Sequence, residues 1–300
     1  MRCLFLLLFT FTALFSADVS NDKSQELDKY EVYEIEDAQA KKSMTKWLDS
    51  DYGLKPHKTN FLLPYSYRKG DYKSYVKTDE YINKEAQMQV SLKLYLGTSL
   101  LGLNESYYIA YTHTAFWQIY ADSSPFRETN YNPEGFVVFP VLNKDSVFNM
   151  KSIKLGLAHI SNGQGNNDDV VYSSDEVDPG NRSRSLNYIY SEFAFQHDTL
   201  LTELTLMSDF PGSSATDNPD IMNYRGYTSV KFNYFTGKHM FTLMGRGNIA
   251  TGYGAVESTC SYPLIDDAYF YVKVFSGYGE SLINYDNSIT KYSIGFSFSR

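Results

Sequence analysis

The sequence predicts an all-β protein, a twelve-stranded antiparallel transmembrane β-barrel preceded by a short polar N-terminal extension. Three observations lead there. The chain opens with an export signal. Aromatic residues make up 16% of it, yet its mean hydropathy is −0.37 and no later segment is an unbroken apolar run of spanning-helix length. From about residue 58 the hydrophobic period becomes two. Spanning strands alternate, so they average to neutral hydropathy while their outer faces stay apolar. A secreted soluble β-sandwich is the bland alternative to weigh against this.

In order along the chain, "MRCLFLLLFTFTALFSADVS" supplies a positive start at Arg2 and an apolar run from Leu4 to Phe15. Small residues Ser16 and Ala17 follow. This reads as a cleaved secretory signal over residues 1–17 and not as an anchor, because the run is short for a bilayer. Cys3 leaves with it, and Cys260 alone remains, so no internal disulfide holds the exported chain. Residues 18–56 carry mixed charge ("EIEDAQAKKSMTKWLD") and no strand pattern. They read as a polar extension, partly helical or disordered. The net charge of −8 argues against a nucleic-acid partner.

The barrel is expected over residues 57–300. Its segments are 58–68, 85–97, 106–121, 130–141, 148–162, 185–195, 199–208, 224–235, 239–248, 254–263, 267–275 and 289–298. An even count suits an antiparallel barrel. Connections after odd-numbered segments include 69–84, 122–129, 163–184, 209–223 and 276–288. Those after even-numbered ones include 98–105, 142–147, 196–198 and the "TGK" turn. Long and short mostly alternate, as long exterior loops and tight periplasmic turns would. A soluble sandwich has no reason to sort its loops this way.

The fifth segment holds "KLGLAHISNGQGN", residues 154–166. Its odd positions are Ile153, Leu155, Leu157, His159 and Ser161, and its even ones include Ser152 and Lys154. Side chains alternate across a strand, so the odd side faces lipid and carries His159 and Ser161 with it. Ile160 breaks the even pattern. Polar groups on such a face lack water to complete their hydrogen bonds. They make sense if they bond to one another and do chemistry, with Ser161 as nucleophile and His159 as base. A third member has to orient the imidazole. Asn187 supplies it, at the start of the next segment and on that segment's apolar face with Ile189 and Phe193. Taken alone, an H-x-S in a strand is more often accidental than catalytic.

With these residues in view, the sequence resembles the outer membrane phospholipase A family of Gram-negative bacteria. The likeness runs from about residue 58 to 298. It is carried by "SSPFRETNY" at 123–131, "HISNG" at 159–163, "SRSLN" at 183–187, "DNPDI" at 217–221, "TGYG" at 251–254 and "SGYGESLINY" at 276–285. The resemblance implies a calcium-dependent serine hydrolase of the bacterial outer membrane, active as a reversible homodimer. Its substrates would be membrane phospholipids and lysophospholipids, cleaved at sn-1 and sn-2 acyl esters. It places the nucleophile on Ser161, the histidine on His159, the asparagine on Asn187 and an oxyanion donor on the Gly163 N–H. It places calcium ligands on the Ser123 carbonyl of the opposite subunit, the Gln164 carbonyl and the Ser183 hydroxyl, with Asp217 serving in the monomer.

Three departures stand out. Gln164 replaces the family's usual Arg, which a carbonyl ligand tolerates. The loop between His159 and Asn187 is long, and its Asp168, Asp169, Asp175 and Glu176 read as ordinary solvated residues. His113 replaces a Gln that bonds across the family's dimer, which would make association pH-sensitive. The rival reading from another class is a non-catalytic barrel, a diffusion pore or an adhesin.

Overall fold

A computed structural model describes residues 31–48, 54–72, 80–142, 147–166, 182–210, 217–265 and 267–299. The signal at 1–17 and the acidic insertion with Asp168, Asp169, Asp175 and Glu176 lie outside them. The strands are β1 (Leu54–Pro56), β2 (Phe61–Arg68), β3 (Lys84–Thr98), β4 (Ser106–Trp117), β5 (Phe126–Pro140), β6 (Met150–Ser161) and β7 (Ser185–His197). They continue as β8 (Leu200–Asp209), β9 (Thr228–Thr236), β10 (His239–Asn248), β11 (Tyr253–Ile265), β12 (Ala268–Gly277) and β13 (Ile289–Ser297). Helix α1 spans Ala38–Leu48 and helix α2 Ile221–Arg225.

Each of β2 to β13 pairs antiparallel with its sequence neighbour, and β13 returns to β2, closing a twelve-stranded barrel. Closure leaves no sheet edge to satisfy. Strand β1 pairs only with β3, where Pro56 faces Leu92, while β2 resumes with Phe61 opposite Gln89. The intervening His57–Asn60 steps off the wall, and His57 and Lys58 reach Glu134 inside. Three residues are too few to show alternation, which is why β1 was not expected.

Alternation sorts the wall as the pattern requires. On β6, Leu155 and Leu157 are 44% and 60% exposed, whereas Ala158 is buried. An outer face this apolar is stable only against lipid. Between β4 and β5, Trp117 pairs with Phe126 but Phe116 with Glu128, so a bulge turns Arg127 inward. This explains why β5 starts earlier than the alternating pattern suggested. Arg127 Nε and Nη2 donate to Glu85 at 2.9 and 3.0 Å, and Lys291 Nζ donates to Glu85 at 2.6 Å. Glu280 joins the cluster from the 278–288 connection through Lys291. The lumen at the end where β4 turns into β5 thus holds a network of paired charges, an arrangement that buried ions need.

At the opposite rim, residues 31–48 of the N-terminal extension form a cap. Asp37 Oδ1 accepts from the N–H groups of Gln39 and Ala40, and Asp37 Oδ2 from the Gly237 N–H in the β9–β10 turn at 3.0 Å. Glu31 pairs with Lys151, and its N–H donates to Gln196 Oε1. Val32, Ile35, Ala40 and Met44 pack on Leu201, Phe235 and Met240. Helix formation at "DAQAKKSM" is legible as an N-capped segment. Its docking is not, because the apolar positions are few.

The N–H of Ala40, then that of Gly237, hold the Asp37 carboxyl below its ordinary 3.8. A lowered value means the contribution is present above the ordinary value and lost as pH falls through the lowered one. Amide exchange at Ala40 and Gly237, corrected for its intrinsic pH dependence, should therefore be slow at pH 6 and accelerate below about pH 4. An Asp37→Asn variant should show no such acceleration.

Candidate active site

The ladder between β6 and β7 sets His159 directly opposite Asn187 and Ser161 opposite Ser185. Directly paired residues share a face, so both side chains leave the barrel wall on the same outer side as Leu157 and Ile189. Asn187 Oδ1 lies 2.7 Å from His159 Nδ1. With an oxygen acceptor there, a neutral ring carries its proton on Nδ1 and turns a bare Nε2 lone pair away from Asn187. Ser161, two residues on, leaves the same strand on the same outward face, and among the described residues no hydrogen bond joins its hydroxyl to His159.

The wall behind His159 is braced from within. Pairing of β5 with β6 lapses between Tyr131↔Ser161 and Glu134↔Ala158, at Asn132 and Pro133. Proline has no N–H to give to a ladder. The amide of Asn132 donates to the His159 carbonyl instead, at 2.9 Å. Asn132 Oδ1 in turn accepts from Lys58 Nζ at 3.1 Å, which ties the lapse to the cluster at Glu134.

Beyond Ser161 the chain leaves the sheet through Asn162 and Gly163. Gly163 has φ +65, and a Cβ there would lie 2.8 Å from the Tyr131 ring. Only glycine fits both restrictions. Asn162 is 1% exposed. Its Oδ1 accepts from the N–H groups of Gln164 and Arg184 at 3.2 and 3.0 Å, and its Nδ2 donates to the Arg182 carbonyl at 2.8 Å. Asn218 makes a matching pair of bonds to Ser185, from the Ser185 N–H at 3.0 Å and to its carbonyl at 2.8 Å. These two amides were not singled out in the sequence, although both stand inside its motifs. A polar residue in a loop carries no periodic signal that would mark it.

Gln164, Ser183 and Asp217 come together at this rim, on the loop after β6, before β7 and before α2. Ser123 lies on the β4–β5 turn, in the left-handed region at φ 61. That turn is at the same rim, since the Tyr131 end of β5 meets the Ser161 end of β6. No hydrogen bond among the described residues links Ser123 to the 162–166 loop. The donor set is one carboxylate with carbonyl and hydroxyl oxygens, which suits a hard cation such as calcium. Among the described residues no group of three or more His, Cys, Asp or Glu is placed to hold a metal ion by itself. His113 also faces outward, with Tyr111 Oη 3.4 Å from Nδ1 and its ring edge-on to Tyr131 at 5.2 Å.

Away from that rim, starting one outward residue from His159, the wall is cut by an apolar groove of about 800 Å³ lined by Leu96, Ile109, Leu155, Leu157, Ile189 and Leu206. Gly135, opposite both Ile109 and Leu157, leaves its floor open.

The comparisons with known proteins agree on one family. A family model described as Phospholipase A1 matches residues 37–298. Phospholipase A1 of Escherichia coli K12 is 32% identical over 274 residues, covering 88% of this chain and 89% of that protein. The Proteus vulgaris phospholipase A1 is 34% identical over 253 residues, 82% of each. Among solved structures, the outer membrane phospholipase A of E. coli superposes with a TM-score of 0.71 at 31% identity, covering 83% of this chain and 99% of that one. The Salmonella typhi outer membrane phospholipase, a dimer with bound calcium, gives 0.72 at 31% identity over 86% and 97%. An E. coli structure in which an active-site asparagine is replaced by alanine gives 0.73 at 30% identity over 87% and 98%. The twelve-stranded barrel with its outward histidine–asparagine pair thus belongs to the phospholipase A1 family, the outer membrane phospholipases.

Proposed function

We propose that this chain hydrolyses sn-1 and sn-2 acyl esters of phospholipids and lysophospholipids in the outer membrane through Ser161, His159 and Asn187. The observation that carries the reading is the 2.7 Å contact between His159 Nδ1 and Asn187 Oδ1 on the lipid-facing wall. An amide in that place orients the ring and stabilises its protonated form. An active-site asparagine in the E. coli relative supports the same role.

The chemistry follows from the tautomer. His159 Nε2 accepts the Ser161 hydroxyl proton as Oγ attacks the ester carbonyl. The Gly163 N–H donates to the developing oxyanion. Collapse breaks the C–O bond to the glycerol oxygen, which takes the proton back from His159 and leaves as lysophospholipid. Water, deprotonated by the same nitrogen, then frees the fatty acid and regenerates Ser161. The groove below His159 gives the acyl chain an apolar bed. The Gln164 carbonyl, the Ser183 hydroxyl and Asp217 of one chain, with the Ser123 carbonyl of a second, would hold calcium. Bound there, calcium supplies positive charge beside the scissile carbonyl.

The long loops that gather at this rim support a position on the cell exterior. A dimer would cover the groove, which a lone barrel leaves open to lipid, and His113 stands on the face that would meet a partner. The S. typhi relative, crystallised as a calcium-bound dimer, supports both the cation and the pairing. A diffusion pore is the weaker reading, because the paired charges of Glu85, Arg127, Glu280 and Lys291 occupy part of the lumen near this rim.

Ser161→Ala should lower fatty-acid release by about 10³-fold or more while the protein still shows the heat-dependent gel shift of an intact barrel. Undiminished hydrolysis would end the assignment. Asn187→Ala should cost about 10- to 100-fold in kcat, the loss of one hydrogen bond to a charged ring. A chelator should abolish release by the wild-type protein, and calcium in excess over it should restore activity. Release that persists in chelator would remove the cation from the reaction.

A further inference from the structure

We propose that Asn166 is a positioning residue that assembles the calcium-binding oxygens before the cation arrives. The inference rests on the calcium-dependent reading above. Asn166 Nδ2 donates to Asp217 Oδ1 at 2.9 Å, across a separation of 51 positions. Its Oδ1 accepts the N–H groups of Arg182 at 3.0 Å and Ser183 at 2.9 Å. One amide therefore ties together three separate stretches of chain: the loop after β6, the approach to β7 and the approach to α2. Those are the stretches that carry Gln164, Ser183 and Asp217.

The backbone around Ser183 is pinned on both sides. Arg182 is held at its N–H by Asn166 and at its carbonyl by Asn162. Arg184 is held at its N–H by the Asn162 side chain and at its carbonyl by the Asn162 N–H, at 3.0 Å each. With its own N–H on Asn166, Ser183 has little freedom left except at its side chain. Exposed hydrogen bonds of this kind add little to global stability. Three of them from one side chain, converging on the proposed ligands, contribute instead by removing the ordering cost that a cation would otherwise meet on binding.

Asn166 also separates two contributions that an acidic residue would combine. It holds Asp217 in place without adding charge. Asn166→Asp keeps acceptors for the Arg182 and Ser183 N–H groups but sets a second carboxylate against Asp217. Asn166→Ala removes all three bonds.

The test uses full-length protein in detergent micelles. Amide exchange is measured without calcium, and binding of calcium alone is measured by titration calorimetry. In Asn166→Ala, the Arg182 and Ser183 amides should exchange about 10-fold faster, and calcium should bind about 10-fold more weakly. Most of the lost activity should return at saturating calcium. Asn166→Asp should keep the slow exchange at Arg182 and Ser183 and lose less calcium affinity than Asn166→Ala. Wild-type exchange and affinity in Asn166→Ala would overturn the proposal, as would an equal loss of affinity in both variants. Failure of the wild-type protein to bind calcium would instead overturn the calcium reading itself. The exchange rates at Arg182 and Ser183 would still report whether Asn166 holds the loop.

Discussion

The site depends on the register of one strand pair. Cross-strand partners lie about 4.5–5.5 Å apart at Cβ, a gap that a short amide and an imidazole can span with one hydrogen bond. His159 meets Asn187 because β6 and β7 pair with those residues opposite each other. A slip of one residue would turn every side chain of β7 to the other face. Asn187 would then point into the lumen and Leu186 toward lipid. The buried aromatic set on β7, Tyr188 and Tyr190, forbids that slip, because both are packed inside with Phe136 and Ala158. Lumen packing thus fixes geometry on the outside of the wall.

The same coupling runs through polar contacts. Pro133 interrupts the ladder beside His159, and Asn132 closes the gap with a side-chain bond. Asn132 then leads to Lys58, Glu134, His57 and Tyr190 inside. Nearer the rim, the bulge at Arg127 draws in Glu85, Lys291 and Glu280, and the Glu128 carboxylate accepts from the Ile283 N–H at 2.8 Å. The 278–288 connection is thereby folded into the barrel. A lumen filled this way gives strands with little regular support in hydrocarbon a rigid backing.

Much of the fold is legible because alternation is a strong signal when one face is lipid and the other is polar. All twelve barrel strands overlap their expected segments. The misses have separate causes. The bulge at Arg127 hides a strand start, since two consecutive inward residues break the period. Segment 224–235 was expected to be extended from its start, but α2 occupies Ile221–Arg225 and caps on Gly226, which has φ 82. The cap formed by α1 could be read as a helix but not as a docked one. In the candidate site, His159, Ser161 and Asn187 stood out because they are polar on an apolar stripe. Asn162, Asn166 and Asn218 did not, because loops have no stripe to violate and asparagine is ordinary there. Their roles emerge only once hydrogen bonds join distant stretches of chain.

The choice of an amide opposite His159 has a physical logic of its own. On this face the alternative to protein is hydrocarbon, where an unpaired carboxylate is expensive and a neutral amide with one good bond costs far less. Aspartate would stabilise an imidazolium better, but it would bring its charge to a wall bordered by Leu157 and Ile189. An amide gives up part of that stabilisation and keeps the strand compatible with lipid. The missing negative charge has a counterpart at the oxyanion end. There the Gly163 N–H, and a cation held by the neighbouring oxygens, would lower the barrier that a weaker base leaves. On the proposed function, a neutral partner for histidine and a cation at the rim would be two halves of one solution to running hydrolysis on the outside of a barrel.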